Sequence, residues 1–404
     1  MIKKNFLFLC LIVLWHGILM AQSISVDGIE YRLLSSDHVI ITGVDGSFRC
    51  QDGVLKLPAI IKHEGLKYRV KGIGELAFFQ NDDIRRLVIP AGVDTIASGA
   101  FWQCHNLESV KMPNRRYPVF VDYLAFDDTK WFNDQPDGMT YLGKIAYKYK
   151  GECPETVVIA KGTEAISKSA FYTPAIHYRD YHQIERISDR LQEVVIPKGV
   201  KYVSGFKCSA LKKARLPKSV VEIGDNAFTA CNLANIILPD KLKRLGESCF
   251  EGCSQITEMV LPAGLESIGR RAFCGCTGIK ELIIPNKIEV LPQGMIECLS
   301  NEMLGVSKES ALKSLTLGAG VKKIGKWALQ GHNLESIRSY AEIPPVIVHN
   351  EQNDRGDWLK AVNPGIKDVT LYVPSGSVDL YRSADGWSTI VNVFELISYP
   401  DNNR

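Results

Sequence analysis

Cys253-x-x-Ile256-x-x-Met259-x-Leu261-Pro262-x-x-Leu265-x-x-Ile268-Gly269-x-x-Ala272-Phe273-x-x-Cys276 is one turn of a phrase that runs straight into its next copy, Cys276-x-x-Ile279-x-x-Leu282-x-Ile284-Pro285. The step is 22–23 residues. A fixed period of this size belongs to one supersecondary unit stacked many times, each burying its apolar face on its neighbours. The length of 404 residues would otherwise imply two or three domains. The repeat replaces that expectation with a solenoid.

Each unit has two halves. The first is a short strand that ends at proline, as in Leu107-x-x-Val110-Lys111-Met112-Pro113, Leu191-x-x-Val194-Val195-Ile196-Pro197, Leu211-x-x-Ala214-Arg215-Leu216-Pro217 and Leu233-x-x-Ile236-Ile237-Leu238-Pro239. Period-two alternation over so few residues reads as a half-buried strand, and proline removes a ladder donor and ends the pairing. The second half carries Ile73-Gly74, Ile223-Gly224, Leu245-Gly246, Ile268-Gly269 and Ile324-Gly325, where glycine is expected to permit a tight corner. An Ala-Phe pair follows at Ala77-Phe78, Ala100-Phe101, Ala170-Phe171, Ala227-Phe228 and Ala272-Phe273. Stacked phenylalanines should form a spine. Counting strand ends predicts about twelve turns. Parallel strands are expected on the concave face, with short strands and turns on the convex side.

Lys3 and Lys4 precede an unbroken apolar run from Phe6 to Leu14, and small residues follow at Ala21-Gln22-Ser23. This is the layout of a secretory signal peptide over residues 1–21. No later segment is long and apolar enough to span a membrane. Loss of Lys3 and Lys4 leaves 46 basic against 45 acidic residues, a mature chain near +1. That balance argues against a nucleic-acid partner, which calls for a basic stripe.

Ten cysteines remain after residue 21. Cys104, Cys208, Cys231, Cys253 and Cys276 share one slot, just after the repeat phenylalanine. A residue type locked to a slot is a packing choice, so buried free thiols are expected ahead of disulfides. Cys249, Cys274 and Cys298 fall outside that slot.

The phrase C-x-x-L-x-x-V-x-L-P-x-x-V-x-x-I-G-x-x-A-F resembles the BspA-like leucine-rich-repeat family of bacterial surface proteins. Trp131-Phe132, the stretch Tyr141 to Gly151, and the ending Thr370-Leu371-Tyr372-Val373-Pro374 with Gly386-Trp387 look like accessories of that family. The resemblance implies a leucine-rich-repeat solenoid, exported or surface-displayed, with roles in adhesion or host contact. The chain then divides into the signal peptide, an N-terminal cap at 22–66, the solenoid at 67–345 and a C-terminal cap at 346–404.

Insertions interrupt the period at 114–156, 172–190 and 299–311, and residues 345–366 separate the last turn from the cap. Function in repeat proteins concentrates at such loops. The first two are rich in aromatics, among them Trp131, Tyr172, Tyr178 and Tyr181. Such side chains suit interfaces, though those of 114–156 are read first as packing a hairpin onto the stack. The outward strand slot runs Val88, Lys111, Val195, Arg215, Ile237, Val260, Ile283, Thr316, Arg338. Its middle is an apolar stripe, either a partner-facing patch or plain β-propensity. The candidate partner-binding residues are therefore Val195, Arg215, Ile237, Val260, Ile283, Trp131, Tyr172, Tyr178 and Tyr181.

No phosphate-binding glycine loop, zinc-protease His-Glu pair or nucleophile elbow is present in the sequence. His177, Asp180 and His182 make a weak metal cluster, and no cofactor is expected. The reading is a secreted or surface-associated, non-enzymatic binding protein for an extracellular protein or glycan. The alternative is a scaffold of the cell envelope.

Overall fold

The computed structural model describes residues 23–113, 119–171, 190–207, 210–297, 310–329, 334–348 and 369–396. The signal-peptide segment, Tyr172, Tyr178, Tyr181, the 177–182 cluster, Cys208 and Cys298 lie outside these residues. The described residues form two compact units, one up to residue 151 and one of 152–171 and from 190 onward.

The first unit opens with an antiparallel meander, Ser23–Val26, Ile29–Leu33 and His38–Val44. Leu66–Ile73 then pairs parallel to His38–Val44, and the repeat begins. Two parallel ladders follow. One joins Val54–Lys56, Arg86–Val88 and Ser109–Lys111. The other joins Leu66–Ile73, Thr95–Ile96 and Phe120–Val121. An antiparallel hairpin, Gly138–Leu142 with Ile145–Lys150, completes the unit.

The second unit repeats the plan. Thr156–Val158, Glu193–Val195 and Lys213–Arg215 form one ladder in register. Glu281–Ile284, Ser314–Leu317, Ser336–Ser339, Thr370–Val373 and Asn392–Glu395 form another. The Ile-Gly halves make their own ladders, such as Tyr202–Val203, Glu222–Ile223, Arg244–Leu245 and Ser267–Ile268. The strands expected at 233–239 and 256–262 are not formed, apart from one bridge between Met259 and Leu282. Their side chains still alternate between buried and exposed, because burial of Ile236, Leu238, Met259 and Leu261 enforces the pleat without a ladder.

The phenylalanine spine is present in both units. Phe78, Phe101 and Phe126 stack at 5.0 and 5.3 Å with ring planes within 6°. Phe171, Phe206, Phe228, Phe250 and Phe273 stack at 5.0 to 5.9 Å. Three members escaped the sequence reading. Ala125-Phe126 lies inside the segment taken as an insertion, so 119–126 belongs to a regular turn. Phe206 and Phe250 follow Gly205 and Cys249 in place of alanine, which assigns Cys249 to the alanine slot. Spine amides are satisfied by the next turn: the N–H of Phe228 donates to Cys249 O at 2.8 Å, and that of Phe250 to Ala272 O at 2.9 Å.

The repeat glycines do not act as expected. Gly74, Gly224, Gly246, Gly269 and Gly325 have no positive φ; the left-handed corner falls instead on the residue before the alanine slot, as at Leu76 (54°), Asn226 (54°) and Arg271 (54°). At Gly74 a Cβ would lie 2.6 Å from Ile41 O, and at Gly325 it would lie 2.7 Å from Gln293 N. Gly246 and Gly269 likewise press against the backbone of the previous turn. These glycines therefore permit close approach of successive turns.

Candidate functional site

The outward slot of the second unit forms two in-register rows, with Ile237 and Val260 on the turns between them. Val158, Val195 and Arg215 are in register. Ile237 and Val260 occupy the slot on the two turns without ladders. Ile283, Thr316, Arg338, Tyr372 and Phe394 then follow in register. Strand alternation puts these side chains outside because their neighbours, such as Val194, Ile236, Met259 and Leu282, fill the core.

Five members are exposed aliphatics: Val158, Val195, Ile237, Val260 and Ile283, from 41% at Ile283 to 86% at Ile237. Arg215, also exposed, interrupts them. Val88 and Lys111 occupy the same slot in the first unit, in register with each other and with Lys56. Thr316 departs from expectation, being only 4% exposed. Its short side chain sits between the larger Ile283 and Arg338, and Arg338 Nη1 reaches across to Thr316's strand, donating to Ser314 Oγ at 3.2 Å.

Val158, Tyr372 and Phe394 were not singled out from the sequence. Val158 and Tyr372 stand two residues before the strand ends Ala160 and Pro374, the position that identifies Ile237 and Val260. Applying that offset throughout would have found them. Phe394 has no terminal proline to mark it.

Trp131 belongs to the first unit. It sits in the short helix Lys130–Asn133, capped by Thr129 Oγ1, which accepts from Phe132 N–H. Its half-buried ring lies 5.8 Å from Phe126 and 5.9 Å from Tyr147. Tyr147 is buried, donates to Asp127 Oδ1 at 2.7 Å and accepts from Phe126 N–H at 2.8 Å. Lys148 Nζ pairs with Asp127 Oδ2, both side chains being buried. These aromatics hold the hairpin on the stack.

Charges elsewhere in the second unit are arranged between turns. Lys243 pairs with Glu266, Arg244 with Glu222 and Arg270 with Glu247. Arg271 reaches both Glu251 and Glu297. Burial pushes the Glu297 carboxyl up, against the opposing pull of Arg271. No disulfide joins the eight described cysteines, and seven of them are buried. Among the described residues, no group of three or more His, Cys, Asp or Glu is placed to hold a metal ion. No helix among them is long and apolar enough to cross a membrane.

Residues 71–190 and 185–301 match the model of the BspA type leucine rich repeat region, in six copies. The chain belongs to that family. Its turns, Ala-Phe corners and proline-ended strands are thus the BspA-type repeat itself. Similar solved structures include a leucine-rich repeat protein from Bacteroides ovatus, 19% identical over 92% of this chain and 90% of that one, with TM-score 0.37. The pneumococcal vaccine antigen PcpA is 15% identical over 94% of this chain and 99% of that one, with TM-score 0.31. A leucine rich cell surface protein from Faecalibacterium prausnitzii is 18% identical over 85% of this chain and 97% of that one, with TM-score 0.25. No curated protein matches the chain.

Proposed function

We propose that this BspA-type protein is exported and acts as a non-enzymatic, adhesin-like module that holds an extracellular protein or glycan on the outward row of its second unit. The observation that carries this reading is the run of exposed branched aliphatics, Val158, Val195, Ile237, Val260 and Ile283. Exposed apolar side chains repeated at one slot mark interaction sites, and β-propensity alone does not require them on five turns. Arg215 supplies one charge for orientation. Trp131, Tyr172, Tyr178 and Tyr181 remain separate candidate contacts, none of them placed on that row. Export rests on Lys3, Lys4 and the apolar run Phe6 to Leu14.

The test is a binding screen of the protein against arrays of glycans and extracellular-matrix proteins. A ligand whose binding is lost in Val260→Asp, with an unchanged thermal midpoint, supports the reading. A folded protein that captures nothing, or that captures only ligands indifferent to Val260→Asp, overturns it.

A further inference from the structure

The far end of the same row changes character. After Ile283 and the covered Thr316 come Arg338, Tyr372 and Phe394, on three successive parallel strands. The rings of Tyr372 and Phe394 lie 6.2 Å apart, tilted by 36°. The Arg338 guanidinium carbon stands 5.4 Å from the centre of the Tyr372 ring. Phe394 is 54% exposed. Beside this row, two residues earlier on each strand and hence on the same face, runs a second one: Ser314, Ser336, Thr370 and Asn392, again in register. Ser336 Oγ donates to Ser314 Oγ at 3.3 Å, and Arg338 to the same oxygen at 3.2 Å. One outer face thus carries two aromatic rings, one of them with a planar cation over it, and a parallel line of hydroxyls ending in an amide.

We propose that this face binds a linear polysaccharide whose sugars carry carboxylates, a polyuronate. A pyranose ring has apolar C–H faces and a polar edge. Aromatic rings take the faces. The Ser, Thr and Asn row offers donors and acceptors for the edge hydroxyls. The guanidinium fork matches a carboxylate in shape and charge. The anions in line with the hydroxyl row, Glu281 opposite Ser314 and Glu258 one turn before it, lie at its far end, away from the rings. Glu395 is turned to the other side, where it accepts from Ser375 Oγ and Gly376 N–H. Spacing argues for a chain of sugars and against a single terminal one. The Tyr372 and Phe394 rings stand 6.2 Å apart on adjacent strands, so the two rings and Arg338 together extend past one pyranose to consecutive residues of a polymer. The site is distinct from the apolar row and stands whether or not that row has a partner.

Calorimetric titration of the protein with oligogalacturonate and oligomannuronate tests this, using the methyl-esterified form of each as the neutral counterpart. At least one acid form should bind, with its ester at least tenfold weaker. Phe394→Ala and Tyr372→Ala should each weaken binding at least tenfold. Because Tyr372 is half-buried, Tyr372→Leu, which keeps apolar bulk and removes the ring, carries the same expectation. Arg338→Gln should abolish the preference for acid over ester, while Lys62→Gln, which removes an exposed charge in the first unit, should leave the affinity unchanged. The proposal is overturned if neither oligouronate binds, if acid and ester bind equally, or if binding survives the Phe394, Tyr372 and Arg338 substitutions. Loss of binding in Val260→Asp with none in Phe394→Ala would also overturn it, by moving the site to the apolar row.

Discussion

The thiol of Cys253 donates a 3.0 Å hydrogen bond to the main-chain carbonyl of Phe228, one turn earlier. The same bond joins Cys104 to Phe78, Cys231 to Phe206 and Cys276 to Phe250, at 2.8 to 3.0 Å. The carbonyl of Phe228 also accepts from Cys231 N–H within its own turn. A carbonyl oxygen has two lone pairs, and the slot cysteine occupies the second. Cysteine suits the slot because it is small, tolerates burial and still carries a donor.

Burial pushes the Cys104 and Cys253 thiols up to about 12. The unfolded chain releases these protons near the ordinary value of 9.0, whereas the folded chain retains them. The folded state therefore binds more protons between these limits, and stability should fall as pH rises from about 9 towards 12. Urea titrations across that range check the slope. At pH 8 the buried thiols should resist an aromatic disulfide reagent until the protein is unfolded.

Phe228 lies mid-spine, 5.4 Å from both Phe206 and Phe250. Phe228→Ala should cost about 3–5 kcal/mol by opening a cavity the stack cannot close. Phe228→Leu should cost nearer 1.5 kcal/mol, because Ile296 and Leu329 already fill the equivalent position in later turns. Chemical denaturation of the two variants provides the comparison.

Gly269→Ala should destabilise the protein by about 2 kcal/mol or more. Its Cβ would run into Gly246 and Glu247, backbone that cannot step aside. Gly46→Ala, where a Cβ meets nothing within 4 Å and φ is not positive, should be neutral. Thermal midpoints of the pair distinguish close approach from a general dislike of alanine.

Lys148→Met should cost about 3–5 kcal/mol, because it strands the Asp127 carboxylate in the interior. Adding Asp127→Asn should restore part of the loss, since the uncompensated charge disappears while an oxygen remains for the Tyr147 hydroxyl. A double-mutant cycle by thermal denaturation measures the recovery.

The sequence made much of this legible. Proline-ended strands, the Ala-Phe corner and the cysteine slot are local signals, read within one 22–23-residue period. The exposure of Ile237, Val260 and Ile283 followed from the same alternation. What escaped were positions where the slot residue changes, as at Cys249-Phe250 and Gly205-Phe206, or where no proline ends the strand, as at Phe394. Thr316 was misplaced because its burial depends on the length of Arg338 on the neighbouring strand.

The order of residues by itself determined the repeat, the face each strand buries and the aromatic spine, because hydrophobic spacing within one turn dictates which side chains must leave water. Only the tertiary structure decided what meets between turns. Gly269 against the backbone of Gly246, the Cys253 thiol on the Phe228 carbonyl, and Arg338 over Tyr372 beside Phe394 all join residues distant in the chain. Parallel stacking sets those neighbours, and no window of sequence one turn long contains both partners.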